Sequence, residues 1–268
     1  MKVLIDQHVH TDFSPDSNTS MENMVKRAIE LGLKEITFTD HVDYDYPDID
    51  GVLFEVNYDK YMEEMAKLKN RYPEIEILMG VEVGYQPHLN ERIDKLIKSY
   101  PFDFVIGSIH ICDGLDLYTG DFFKGKTQKG SYLRYLENVK NCVQNFDNCD
   151  IFGHLDVIIR YGDFKNKDLR YEEFQESIDE ILKLVIKKDK GIELNTSGIR
   201  YNLADMHPQK GILEKYHDLG GKILTLGSDA HNTRDLCAGF KNATQELKNI
   251  GFTKVTKFKA RKPSFISI

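Results

Sequence analysis

Tryptophan is missing from this 268-residue chain, and cysteine is scarce. The four cysteines, Cys112, Cys142, Cys149 and Cys237, include no C-x-x-C pair. Their spacing supports neither a thiolate zinc site nor a disulfide framework, and reduced thiols in a cytoplasmic protein are the expected state. No stretch is long and apolar enough to span a bilayer, so no membrane partner is expected. Residues 1–6 turn polar too soon for a secretory leader. Positive charge is also in short supply: 36 Lys and Arg face 43 Asp and Glu, a formal net charge of -7. That balance disfavours nonspecific attraction to nucleic acid. It leaves room for a small phosphorylated substrate, because bound metal ions reverse the field inside one pocket. Linkers rich in Pro, Gly or Ser, repeats and low-complexity runs are absent, so residues 1–268 are expected to form one domain. Nothing in the chain signals an oligomeric state.

What is present is an alternation. Short apolar runs at 3–10, 35–39, 75–83, 103–110, 150–154, 191–195, 222–226 and 252–258 are rich in Val, Ile and Phe, which predicts buried strands. Helical patterns lie between them. Thr19-Ser20-Met21-Glu22 reads as a capping box ahead of Met24, Ala28 and Leu31, with Gly32 ending the helix. Further helices are marked by Tyr61, Met65 and Leu68, by Ile93, Leu96 and Ile97, and by Tyr132, Leu136, Val139 and Val143. Three more are marked by Phe174, Ile178, Ile181, Leu182 and Val185, by Leu213, Tyr216 and Leu219, and by Leu236, Phe240 and Leu247. Gly220 and Gly251 close the last two. This order implies an α/β fold with a parallel sheet, closed as a barrel or open and doubly wound. The longer irregular stretches 42–57 and 111–130 are candidate lids or binding loops.

The polar residues fall where the strands end. The first run ends in His8-Val9-His10, and a period of two puts both imidazoles on one face. The next ends bring Asp40 and His41, then Glu82, His110, His154 with Asp156, Glu193 with Asn195, and Asp229 with His231. In α/β barrels the C-terminal strand ends carry the active site. Histidine and carboxylate are the ligand set of Zn, Mn or Fe. Each pair taken singly has a plain explanation, such as a capped loop or a hydrogen-bonded core histidine. Seven successive strand ends would need that explanation independently, whereas divalent cations account for all of them by supplying the missing positive charge. His88, His207 and His217 lie at or within helical patterns and are expected on the surface.

His8-Val9-His10-Thr11 with Ser14 and Asp16, Thr39-Asp40-His41, Gly80-Val81-Glu82, Ser108-Ile109-His110, Gly153-His154-Leu155-Asp156 and Ser228-Asp229-Ala230-His231 together resemble the PHP (polymerase and histidinol phosphatase) superfamily. The motifs follow the family's order across nearly the whole chain. The length, Phe38-Thr39-Asp40-His41, the segment from Gly153 to Tyr161 and Glu193-Leu194-Asn195-Thr196-Ser197-Gly198 resemble its stand-alone histidinol-phosphate phosphatases. The resemblance implies a distorted (β/α)7 TIM-like barrel rather than a regular eightfold one. It also implies three divalent metals per chain, drawn from Zn, Fe and Mn. His8, His10, Glu82 and Asp229 would hold the first. Glu82 would bridge to a second, completed by His110 and His154. Asp16, His41 and His231 would hold the third.

A water shared by two such metals becomes nucleophilic near neutral pH and would attack phosphorus in line with the leaving alkoxide. Asp229 and His231 are the candidates to protonate that alkoxide. Arg160 suits bidentate contact with phosphate oxygens; its plainer role is a surface pair with Asp156 or Asp163. Arg200 is a second candidate for substrate contact, and Asn195 and Ser197 either line the pocket or cap the next turn. The resemblance implies histidinol phosphate as the substrate, with a cationic amine. Asp43, Asp45, Asp48, Asp113 and Asp116 could sit near that amine, although each singly reads as a solvated loop acid.

Other readings are a PHP phosphoesterase for another small phosphate or a nucleotide, and a metal-stabilised module without activity. A nuclease should show a basic groove or stacking aromatics, which this acidic chain does not suggest. A module need not retain every ligand, and here the set is intact. An amidohydrolase-type enzyme often bridges its metals with a carboxylated Lys, but Glu82 stands at that position.

Overall fold

A computed structural model describes residues 5–47, 51–201 and 203–268. The apolar runs form seven strands: β1 (Ile5–Val9), β2 (Glu35–Phe38), β3 (Glu76–Gly84), β4 (Phe104–Ser108), β5 (Ile151–Phe152), β6 (Gly191–Asn195) and β7 (Leu224–Gly227). They pair in parallel and in chain order. The two outer strands then meet. Val9 bridges Ala230 in parallel, and the His10 N–H donates to the Ala230 carbonyl at 2.9 Å. Of the two closures open to an alternating sequence, the chain takes the barrel, nearly closed.

At this seam a side chain does the work of the ladder. Asp6 accepts from the backbone N–H groups of Ser228 and Cys237, each at 3.0 Å. Buried amides left unpaired between splayed strands would be costly, and the carboxylate removes that cost.

Helices α1 (Met21–Glu30), α2 (Tyr58–Arg71), α3 (Asn90–Ser99), α4 (Gln128–Asn145), α5 (Tyr171–Lys187), α6 (Lys210–Asp218) and α7 (Phe240–Ile250) alternate with the strands. Each buries one stripe, as Met21, Met24, Val25 and Ala28 do on α1. The first helix caps differently from the expected box. Ser20 is its N-cap and accepts from Asn23 N–H, while Glu22 turns to Arg71 and Tyr72 at the end of α2. A tertiary contact has taken the carboxylate that the local pattern assigned to the cap. Gly32, with φ +75°, ends α1 as expected. Leu236 is buried but lies before α7, because Gly239 at φ +79° separates them.

The eighth apolar run is not a barrel strand. It forms β8 (Lys254–Lys259), which pairs antiparallel with β9 (Lys262–Ser267). Ala260 and Arg261 make the two-residue turn, with φ of 48° and 62°. Such a turn normally carries Asn or Gly, so the hairpin had no sequence signature. Tertiary contacts hold it instead. Ala260 and Arg261 N–H donate to Asp103, and the Arg261 guanidinium binds Asp150 at 2.5 Å. The hairpin packs at the seam, where Gln7 exchanges hydrogen bonds with Thr256 and Phe258.

Candidate metal centre

Two alternate residues of one extended segment begin the site. His8 on β1 and His10 just past it are both fully buried, with ring centroids 5.0 Å apart. Opposite them, Glu82 on β3 is the common neighbour. Its Oε2 lies 3.0 Å from His8 Nε2, 3.2 Å from His41 Nδ1 and 3.5 Å from His10 Nε2. Its Oε1 lies 2.7 Å from His154 Nε2 and 3.4 Å from His110 Nε2. Histidines from four other strand ends thus meet at the one carboxylate of β3.

Asp229 follows β7 with φ 55°, a left-handed conformation that Asp tolerates better than most residues. Its Oδ1 lies 3.4 Å from His10 Nε2 and 3.9 Å from His8 Nε2. Asp16 Oδ2 lies 3.0 Å from His231 Nε2 and 3.4 Å from His41 Nε2. The nine residues expected as ligands therefore converge. Among the described residues, four sets bring their donor atoms within 4.8 Å of one another: His10, His41 and His231; His8, His10 and Glu82; His41, Asp43 and His110; Glu82, His110 and His154.

These residues fit divalent cations on a specific observation. The His10 ring lies 4.2 Å from the His41 ring and 4.2 Å from the His231 ring, and neither of its nitrogens has a hydrogen-bond partner. Burial and the charges of His231 and His41 drive its pKa down to about 3. A neutral imidazole with a free lone pair facing two others is costly unless a metal receives that lone pair.

The surrounding charges respond in the same sense. Burial would lower the pKa values of His8 and His110, but Glu193 with Glu82, and Asp43 with Glu82, raise them well above the ordinary value. His41 is raised to about 9 against burial by Glu82 and Asp16. Burial would raise Asp43, yet His110 pulls it down to about 2.

Two carboxylates received no place in the expected ligand set. Glu193 Oε1 lies 2.6 Å from His8 Nδ1, and its Oε2 accepts from the His154 backbone N–H at 3.2 Å. The alternation of Glu193 and Asn195 on β6 was the available signal. Asp43 Oδ1 lies 2.6 Å from His110 Nδ1, so this loop acid faces the cluster. Two glycines make the room. A Cβ on Gly84 would stand 1.7 Å from Asp43 Oδ1, and one on Gly227 would stand 2.2 Å from Glu193 Oε1.

The other candidates divide by position. Arg160 Nη2 donates to Ser197 Oγ at 2.5 Å and lies 3.4 Å from Asp229 Oδ2, while its guanidinium covers the Tyr201 ring at 4.0 Å. It pairs with neither Asp156 nor Asp163. Arg200 lines the same cavity but spends its fork on the carbonyls of Ser228 and Asp229, both at 2.7 Å. Asn195 donates to Glu193 at 3.1 Å and accepts from Ser197. Of the remaining loop acids, Asp45 pairs with His88 and Arg92, Asp113 pairs with Arg134, and Asp48 lies outside the described residues.

The expected surface position of His207 is overturned. It is fully buried, with Nδ1 2.6 Å from Asp156 Oδ1. Its backbone bridges Asn195 instead of continuing a helix, consistent with the extended preference of a residue before proline. His88 is exposed and His217 is partly exposed, its ring edge-on to Phe252.

The cluster opens into a cavity of about 550 Å³. Both long irregular stretches supply its walls, through Tyr46 and Phe54 from one and Asp116 and Tyr118 from the other.

Comparison with known proteins agrees with this geometry. The sequence pattern of the PHP domain matches residues 6–197. A histidinol-phosphatase of Lactococcus lactis is 34% identical over 260 residues, covering 96% of this chain and 95% of that one. A probable histidinol-phosphatase of Clostridium acetobutylicum is 33% identical, covering 94% and 96%. The crystal structure of the Lactococcus lactis histidinol phosphate phosphatase, complexed with zinc, L-histidinol and phosphate, superposes with a TM-score of 0.90. That match has 33% identity and covers 98% of this chain and 99% of that one.

Proposed function

The chain belongs to the PHP-domain family, and from that premise we propose that it is a histidinol-phosphatase, hydrolysing L-histidinol phosphate to L-histidinol and inorganic phosphate. The observation that carries this reading is Glu82, whose two oxygens face His8, His10 and His41 on one side and His110 and His154 on the other. That donor set is suited to divalent metal.

Three cations would be held by His8, His10, Glu82 and Asp229; by Glu82, His110 and His154; and by Asp16, His41 and His231. When bound, such cations acidify water and place positive charge against phosphoryl oxygens. The chain supplies the rest. Arg160, held by Ser197 over the cavity, offers its remaining N–H groups to the phosphate. Arg200 fixes the carbonyls of Ser228 and Asp229 and so keeps the Asp229 carboxylate aimed at the cluster. Both nitrogens of His231 are engaged: Nδ1–H donates to the Asp229 carbonyl, and Nε2 faces Asp16. Against burial, His10, His8, His231 and Arg160 hold the Asp229 carboxyl well below the ordinary carboxylate range, so Asp229 serves as an ionised ligand and not as a proton store.

Phosphate release tests this reading, with L-histidinol phosphate, sugar phosphates and nucleotides compared before and after chelation, alongside elemental analysis. Preferential turnover of L-histidinol phosphate that chelators abolish is expected. Preference for nucleotides, or activity indifferent to chelators, would overturn it.

A further inference from the structure

Among the described residues, one acidic side chain of the cavity, Asp116, has no charge partner. Asp116 closes the short strand Leu115–Asp116, which pairs with Ile111–Cys112. The next residue, Leu117, donates its N–H to the His110 carbonyl at 3.3 Å, so Asp116 stands directly beside a ligand-bearing segment. It is 4% exposed and lines the same cavity as His110 and Arg160. Its Oδ2 accepts from Tyr46 Oη–H at 2.9 Å, and its Oδ1 from Tyr118 N–H at 2.8 Å. Both donors are neutral. Asp43 and Asp16, on the same cavity, each face histidines instead. Among the described residues, no Lys, Arg or His forms an ion pair with Asp116.

A buried carboxylate satisfied only by neutral donors is costly, and a cation arriving from the cavity offsets that cost. The cavity therefore has two poles: Arg160 and the histidine cluster for an anion, and Asp116 for a cation. We propose that Asp116 receives the ammonium group of the substrate and so selects cationic phosphate monoesters over neutral-tailed ones. This rests on the histidinol-phosphatase reading. The Tyr46 hydroxyl ties the first long loop to Asp116 on the second.

The test uses the zinc-loaded full chain at about pH 8, where imidazole is neutral and an alkyl ammonium is charged. Calorimetry compares L-histidinol with its deamino analogue, 3-(imidazol-4-yl)propan-1-ol, in the presence of phosphate. The wild type should prefer L-histidinol by about tenfold or more, and Asp116→Asn should bring that preference close to unity. Tyr46→Phe keeps the charge and should keep most of the preference. A preference that survives in Asp116→Asn, or that falls equally in Tyr46→Phe, would overturn the assignment.

Kinetics separate this from the underlying reading. If the wild type ignores L-histidinol phosphate, the histidinol-phosphatase reading fails. Asp116 is then judged on the ratio of kcat/KM for 2-aminoethyl phosphate over ethyl phosphate. Collapse of that ratio in Asp116→Asn sustains the cation role, and an unchanged ratio overturns it.

Discussion

Glu193 Oε1 lies 2.6 Å from Nδ1 of His8, and both side chains are buried at the cluster. With Nδ1–H donated to Glu193, His8 turns Nε2 toward Glu82, the orientation a metal ligand needs. Replacing such an outer carboxylate typically costs about 10- to 100-fold in metal affinity or activity. Glu193→Gln should lose zinc on dialysis against a weak chelator and regain turnover in excess zinc. Wild-type zinc retention in this variant would show that Glu193 does not orient His8.

His8→Ala and Glu82→Ala should lose metal and nearly all turnover, because each removes a donor from the converging cluster. His217→Ala should stay near wild type in both respects, since its ring is partly exposed and packs edge-on to Phe252, away from the cluster. Metal content and kcat/KM of the three purified variants check this ordering. Equal damage in all three would contradict the division between ligand and peripheral histidine.

Gly84→Ala should damage the site without touching a ligand. Its Cβ would stand 1.7 Å from Asp43 Oδ1, so Asp43 must leave its 2.6 Å contact with His110. Overpacking of this kind costs about 1–3 kcal/mol. A lowered Tm together with reduced metal content is expected, and a variant normal in both would refute the close-approach argument.

The pH dependence of stability should differ with and without metal. In the cation-free chain, surrounding carboxylates raise the pKa values of His8 and His110 well above normal and that of His41 to about 9. A base raised on folding stabilises the protein fully below its unfolded value of about 6.5, and that stabilisation is lost as pH rises through the folded value. Chelated protein should therefore lose Tm between about pH 7 and 9. Zinc-loaded protein should not, because neutral imidazole is the ligand form and metal competes better as protons leave. Melting curves across that range decide it; parallel profiles would exclude the linkage.

Much of the site was legible because alternation and strand ends are local features. His8-Val9-His10 declares a shared face by period alone, and the apolar runs located all seven barrel strands. Glu193 was visible at a strand end, but nothing local said that its partner would be His8, 185 residues away. His207 was misplaced because its burial comes from pairing with Asp156 and Asn195, neither of them a sequence neighbour. The run 252–258 was legible as a strand, but its hairpin partner was not, because Ala260 and Arg261 turn on the support of Asp103, Asp150 and Asn148 rather than on their own conformational preferences.

By itself the sequence determined the residue types at each strand end, and with them a histidine and carboxylate chemistry that demands cations. The pairing of Glu193 with His8, the burial of His207 against Asp156 and, among the described residues, the neutral surroundings of Asp116 were decided only by the tertiary structure. The reason is physical: a side chain's chemistry is intrinsic, but its electrostatic partner is set by whichever distant strand or loop the folded barrel brings against it.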